Sequence, residues 1–246
     1  MRKDVAQKWD DEMRRTASDA DKALGLRYGG TPVDDSDVKA LQQELVVPVS
    51  RTERLTDSIF AIAMTLLVLS IEVPTFPATV TAAEFSAYAM SIVPQTATYI
   101  ISFILLAVFW LDHHIFFKIK RTNATLTWIN VLWLMAITFV PFSTSLVGRY
   151  GQFQLAQLIF DLNMLAIGVL WYLNWQYASN NGLIDEKVLP YADHIRRSNL
   201  SLPILAMIAI VASFVTPRAI FVFLAAPVIF ILYTVSKRRV LGGKTA

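Results

Sequence analysis

The chain has 246 residues, 22 Lys and Arg against 19 Asp and Glu, and 55% hydrophobic residues, an apolar share that exceeds the usual soluble mix and points to a lipid bilayer. A formal charge of +3, with basic residues scattered beside apolar runs, excludes a broad nucleic-acid-binding face. The absence of cysteine excludes a disulfide framework, a thiolate nucleophile and a Cys-ligated metal.

Met1 to about Leu24 is charged and lacks the early apolar run of a signal peptide, so the amino terminus is expected to stay in the cytoplasm. Residues 1–50 read as a cytoplasmic extension, partly helical, with a Gly29-Gly30-Thr31-Pro32 break between two helix-compatible segments. Residues 51–240 read as a six-helix transmembrane domain, and 241–246 as a cytoplasmic tail. The apolar stretches fall near 56–74, 90–116, 126–147, 154–176, 200–216 and 218–236, each near the roughly 20 residues that carry a helix across about 30 Å of hydrocarbon. Thr216, Pro217 and Arg218 leave almost no loop between the last two stretches, so one kinked crossing is the alternative there.

Lys and Arg are retained on the cytoplasmic side. With six spans, Arg51 and Arg54, then Lys118, Lys120 and Arg121, then Lys187, Arg196 and Arg197, then Lys237, Arg238, Arg239 and Lys244 all fall on one face, with both termini. The opposite face holds Arg149 and Arg218. This is the pattern of a multi-pass protein of the cell (plasma or inner) membrane. Tyr150, Trp171, Trp175 and Tyr177 are spaced as interfacial aromatics are.

In the first stretch Ser58, Ile62, Thr65, Leu69 and Glu72 fall on one narrow helical stripe, polar, apolar, polar, apolar, acidic. A stripe facing a pore in a symmetric assembly stacks each residue type into a ring, with Ser58 and Glu72 at its mouths. Packing between helices through the small residues Ser58, Ala61 and Thr65 is the competing reading. Asp57 lies about 100° from the stripe and is expected to face helices of its own subunit. Arg51 or Arg54, and His113 or His114 from the second stretch, are its candidate partners in a structural clamp.

His113, His114 and Asp112 are not read as a metal site, because adjacent helical histidines point about 100° apart and no third ligand cluster accompanies them. Asn130, Asp161, Asn163 and Asn174 read as interhelical hydrogen-bonding residues. Pro141 is expected to kink the third stretch, with Ser143 and Thr144 available to the freed backbone groups. No nucleotide loop, nucleophile elbow or catalytic carboxylate pair is found, so no enzyme activity and no cofactor are expected.

Asp57-Ser-Ile-Phe-Ala-Ile-Ala-Met-Thr-Leu-Leu-Val-Leu69 after Arg51, then Phe109-Trp-Leu-Asp-His-His114, then Asn130 and Pro141-Phe-Ser-Thr144 together resemble the prokaryotic branch of the transmembrane protein 175 family. Members of that family are potassium channels, and the animal one is lysosomal. The match runs from about Arg51 to Val147. Leu55 and Thr56 stand where the family has Phe and Ser, keeping one apolar and one hydroxyl residue. The resemblance implies a pore lined by the first helix, with a filter of Ile62, Thr65 and Leu69. It also implies modest potassium selectivity by dehydration and a hydroxyl layer, and adds Trp110 and Asn130 to the clamp. The chain carries the unit once, so a homotetramer is expected, with membrane lipid and potassium ions as its other partners. A secondary transporter or a non-conducting scaffold are the rival readings; inverted repeats and helices broken at mid-membrane, the usual pointers to the former, are not found.

Overall fold

The computed structural model describes residues 47–71, 79–116, 119–186, 188–216 and 219–232. All of them belong to the compact unit Val47–Ala246. The expected extension 1–46, the tail 241–246, Glu72, Lys118, Lys187, Arg218 and the last basic cluster lie outside the described residues.

The described chain is helical, with α1 at Val49–Leu66, α2 at Ala82–Ser91, α3 at Val93–Phe116, α4 at Ala124–Thr138, α5 at Val140–Tyr150, α6 at Gln154–Asn180, α7 at Ala192–Ser198 and α8 at Ser201–Ser213. Short 3-10 turns cover Leu67–Ser70, Leu189–Tyr191 and Ala219–Leu224, the last leading into helical residues 225–232. Among the described residues, four stretches are long and apolar enough to cross a membrane: Ala82–His113, Ala124–Tyr150, Gln154–Asn180 and Leu189–Ser213. Ala219–Leu232 is a shorter apolar helix.

The first span ends earlier than expected. Its α-helix stops at Leu66, tightens to 3-10 through Ser70, and Ile71 turns extended at φ −95°, ψ 113°. The β-branched Ile71 has a weaker helix preference, in keeping with that turn. The second span is preceded by a short helix missing from the expectation. Thr81 caps α2 by accepting from the Glu84 backbone N–H at 3.2 Å, and the Glu84 carboxylate accepts from the Thr81 N–H at 2.8 Å.

The third span breaks where Pro141 required it. Pro141 sits in the first turn of α5, and α4 ends at Thr138. Ser143 Oγ donates to the Val140 carbonyl at 3.1 Å, while Thr144 Oγ1 reaches across to Ser102 Oγ at 2.8 Å and so ties α5 to α3. Asn163 Nδ2 donates to Ser143 Oγ at 3.2 Å, joining α6 to the same point. After α6, Gly182 adopts φ 65°, the left-handed turn that glycine makes without strain. The chain then pairs Ile184 with Ile119 in an isolated antiparallel bridge.

α6 is the hub, packed against α4, α5 and α8, while α3 packs on α5 and α1 on α4. The core is aromatic-rich: Phe60, Trp133, Phe160, Trp175 and Phe223 are each at most 1% exposed. Phe60 tilts on Trp133 at 5.5 Å and Phe160 meets Phe223 edge-on at 5.6 Å, geometries that add to area burial. Trp171 and Trp175 correct the interfacial expectation. Both are buried, at 6% and 1%, because they lie on the α6 face that meets α4 and α8, whereas Tyr150 is exposed.

Candidate functional site

α1 has two sharply different faces. Thr56, Phe60, Ala63, Leu67 and Ser70, spaced at 4, 3, 4 and 3 residues, are buried against the rest of the chain. That spacing is the narrow seam of a helix packed on one side. The opposite face is uncovered: Ile62 is 57% exposed and Leu69 72%, and Ser58, Ala61 and Thr65 are exposed with them. Among the described residues, the stripe members Ser58, Ile62, Thr65 and Leu69 therefore lie on the exposed side of α1.

Both hydroxyls on that face donate back to their own helix. Thr65 Oγ1 donates to the Ile62 carbonyl at 2.8 Å, and Ser58 Oγ to the Arg54 carbonyl at 2.8 Å. With its proton committed, each oxygen presents lone pairs outward, which is the polarity a cation meets well. Glu72, the expected acidic mouth, lies outside the described residues.

Of the clamp residues, the structure joins Trp110 to Asp57. The Trp110 indole N–H donates to Asp57 Oδ1 at 2.9 Å and bridges α3 to α1. Asp57 is itself exposed, and among the described residues it forms no ion pair with Arg51 or Arg54, which are also exposed. His113 is buried between two tryptophans, stacked on Trp133 at 5.6 Å with planes 16° apart and tilted to Trp171 at 5.6 Å. The side chain of His114 lies outside what is described. Asn130 is 3% exposed, and neither of its amide atoms has a partner among the described residues. It lines a cavity of about 20 Å³ together with His113, Asn174 and Thr52.

Two pairings escaped the sequence reading. Trp171 Nε1 donates to Asp112 Oδ2 at 2.9 Å, joining α6 to α3. Gln157 Nε2 donates to Asp161 Oδ1 at 2.9 Å, and both residues are fully buried within α6. The i, i+4 spacing of Gln157 and Asp161 was a readable signal for the second, whereas nothing in the sequence pairs Trp171 with Asp112. Among the described residues no cluster of three His, Cys, Asp or Glu could hold a metal.

A bundle of apolar helices this long, outwardly lined by exposed Ile, Leu, Val and Phe, defines a multi-pass α-helical membrane protein. Within that class, residues 51–141 match the family described as endosomal/lysosomal potassium channel TMEM175. A potassium channel from Chamaesiphon minutus is 33% identical over 188 residues, covering 74% of this chain and 90% of that protein. Another from Streptomyces collinus is 30% identical, covering 56% and 68%. The crystal structure of a lysosomal potassium-selective channel TMEM175 homolog from Chamaesiphon minutus superposes with a TM-score of 0.60 at 31% identity, over 77% of this chain and 96% of that one. The chain belongs to the TMEM175 family.

Proposed function

We propose that the chain is one subunit of a homotetrameric potassium channel of the cell membrane, with six crossings per subunit, both termini cytoplasmic and α1 from each subunit around the ion path. The observation that carries this reading is the exposed face of α1: among the described residues the protein buries one seam of the helix and leaves Ile62, Thr65 and Leu69 exposed on the other side. Four such faces meeting at an axis stack Ile62 into a constriction, with Thr65 one turn away and Leu69 beyond it. The names of the Chamaesiphon and Streptomyces relatives, both potassium channels, support the same assignment.

The proposed chemistry follows from the side chains. An isoleucine ring offers no charge and no hydrogen bond, so an ion passing it gives up part of its hydration shell. Potassium loses less by that than sodium. The Thr65 oxygens, their protons already held by the Ile62 carbonyls, present lone pairs to the partly dehydrated ion. Selectivity built this way is modest. Ser58 lines the inner mouth, and Glu72 concentrates cations at the outer one.

Ile62→Asn tests the reading in planar bilayers holding the reconstituted full chain. The variant is expected to wet the constriction, raise single-channel conductance and lower the potassium-to-sodium permeability ratio. Unchanged conductance and ratio would remove Ile62 from the ion path, and saturable flux without current steps in the wild type would replace the channel by a transporter.

A further inference from the structure

Where α1 begins, it meets α3, α4 and α6 around a cavity of about 20 Å³. Three polar side chains from three of these helices border it: Thr52 of α1, Asn130 of α4 and Asn174 of α6. Asn130 is 3% exposed and Asn174 is fully buried. The Thr52 hydroxyl and both amide atoms of each asparagine are sealed from solvent, and none of the five has a hydrogen-bond partner among the described residues. Each amide carries two N–H donors and a carbonyl acceptor, and the hydroxyl both donates and accepts. Turning an amide over exchanges its two ends and leaves the same need. Two further hydroxyls at the cavity are already used: Thr122 Oγ1 donates to the Val47 carbonyl, and Thr127 Oγ1 to the Asn123 carbonyl at 3.0 Å. Buried polar atoms in folded chains are nearly always paired, so this group around one small cavity calls for a shared partner.

We infer that Thr52, Asn130 and Asn174 form the binding site of one water molecule, which fastens the first turns of α1 to α4 and α6. A buried water needs about 10–15 Å³ of such space and two to four polar partners. The cavity offers about 20 Å³ and three partner side chains, room for one water and little more. Water donates twice and accepts twice, and each of its three neighbours does both, so all of its hydrogen bonds find a place. An alkali cation fits poorly. It accepts nothing from the amide N–H groups, the three side-chain oxygens are neutral, and a buried charge without a countercharge is costly. Glu53, the carboxylate that borders the cavity, is exposed. Ile62 and Thr65 stand further along the same helix, so the water holds the base from which the exposed stripe of α1 rises.

The test is independent of ion conduction. The full chain is reconstituted in lipid nanodiscs and its structure determined at a resolution that shows ordered water, once in potassium chloride and once in choline chloride. A single peak is expected about 2.7–3.2 Å from Thr52 Oγ1 and from an amide atom of each asparagine, the same in both salts. No peak at that place overturns the proposal. A peak that vanishes without the alkali cation is an ion, and overturns it equally. Thermal melting in one detergent checks the fastening. Thr52→Val is expected to lower the melting temperature by about 2–4 °C, the shift that one ordinary hydrogen bond gives a chain of this size. Thr52→Ser keeps the hydroxyl and should melt with wild type. Asn130→Leu should also melt lower, because Thr52 and Asn174 are left sharing too few partners. Adding Asn174→Leu and Thr52→Val to it should regain most of that loss, since no polar group is then left unpaired. Equal melting of Thr52→Val and Thr52→Ser, or losses that simply add over the three positions, overturns the proposal. Should the leucine variants fail to fold, the peak and the Thr52 pair decide.

Discussion

Gly168 and Gly148 make opposite predictions for one substitution. A Cβ at Gly168, in α6, would stand 2.8 Å from Pro203 Cδ, 2.9 Å from Pro203 N and 3.1 Å from Leu202 Cγ on α8, where carbon contacts ordinarily settle at about 3.5–4.0 Å. A proline ring and a backbone nitrogen cannot swing aside, so Gly168→Ala must push α6 and α8 apart. Overpacking of this kind costs about 1–3 kcal/mol, and the better helix preference of alanine returns about 1 kcal/mol. The balance is a loss of about 1 kcal/mol. At Gly148, in α5, the nearest atom to a new Cβ is Gln95 Cα at 3.4 Å, an ordinary contact. Gly148→Ala therefore keeps most of the helix preference, about 0.5–1 kcal/mol. Both variants are melted in the same detergent beside wild type, with folded protein read by size exclusion after heating. Gly168→Ala should melt below wild type and Gly148→Ala at or above it. If Gly168→Ala melts as high as Gly148→Ala, the α6–α8 contact is not the close one described.

Trp110→Phe should lower stability by about 1 kcal/mol, the ordinary net value of a hydrogen bond, because the exposed Asp57 is well solvated; combined with Asp57→Asn it should cost little more than the worse single change, and full additivity in melting would show that the two side chains act separately. The chain has no cysteine, so Thr65→Cys introduces a lone thiol that a charged, water-borne thiosulfonate should modify in reconstituted protein, with a loss of current, while Ile208→Cys on the exposed apolar side of α8 should stay unmodified. Equal labelling of the two would place Thr65 outside the ion path.

Much of the helical layout was readable because long apolar stretches report directly on lipid. The stretches at 126–147 and 154–176 fall inside α4–α5 and α6, and Pro141 marked the break between α4 and α5 before any coordinates. The ends of elements were less readable. Whether α1 continued past Leu66 depended on a balance between 3-10 and α geometry over four residues, and α2 hangs on one capping box at its start. The tryptophans of α6 misled for a physical reason: an indole suits a membrane interface and a core equally, and only the packing of α4 and α8 decides. The open face of α1 was visible as a stripe, yet periodicity alone could not say which of its two faces the chain would cover. The Asp112–Trp171 bond joins residues 59 positions apart on different helices, and no local pattern encodes a pairing of that range.

The length of α1 bears on what its open face meets. Between Asp57 and Glu72 the sequence holds an uncharged run of about 14 residues, against the roughly 20 of a lipid-facing crossing. From Ser58 through the 3-10 turn to Ser70 the rise is about 20 Å, short of a hydrocarbon core of about 30 Å. If the open face of α1 lay against acyl chains, one end of the helix would carry Asp57 or Glu72 into them, at about 2.5 kcal/mol or more for each charge held there. A face turned to water bears no such penalty. The buried seam of Phe60, Ala63 and Leu67 already supplies the helix with the apolar contact it needs on its other side. An uncharged run this short, on a helix packed along one seam and exposed along the other, therefore fits a neighbour that is wet better than one that is all lipid.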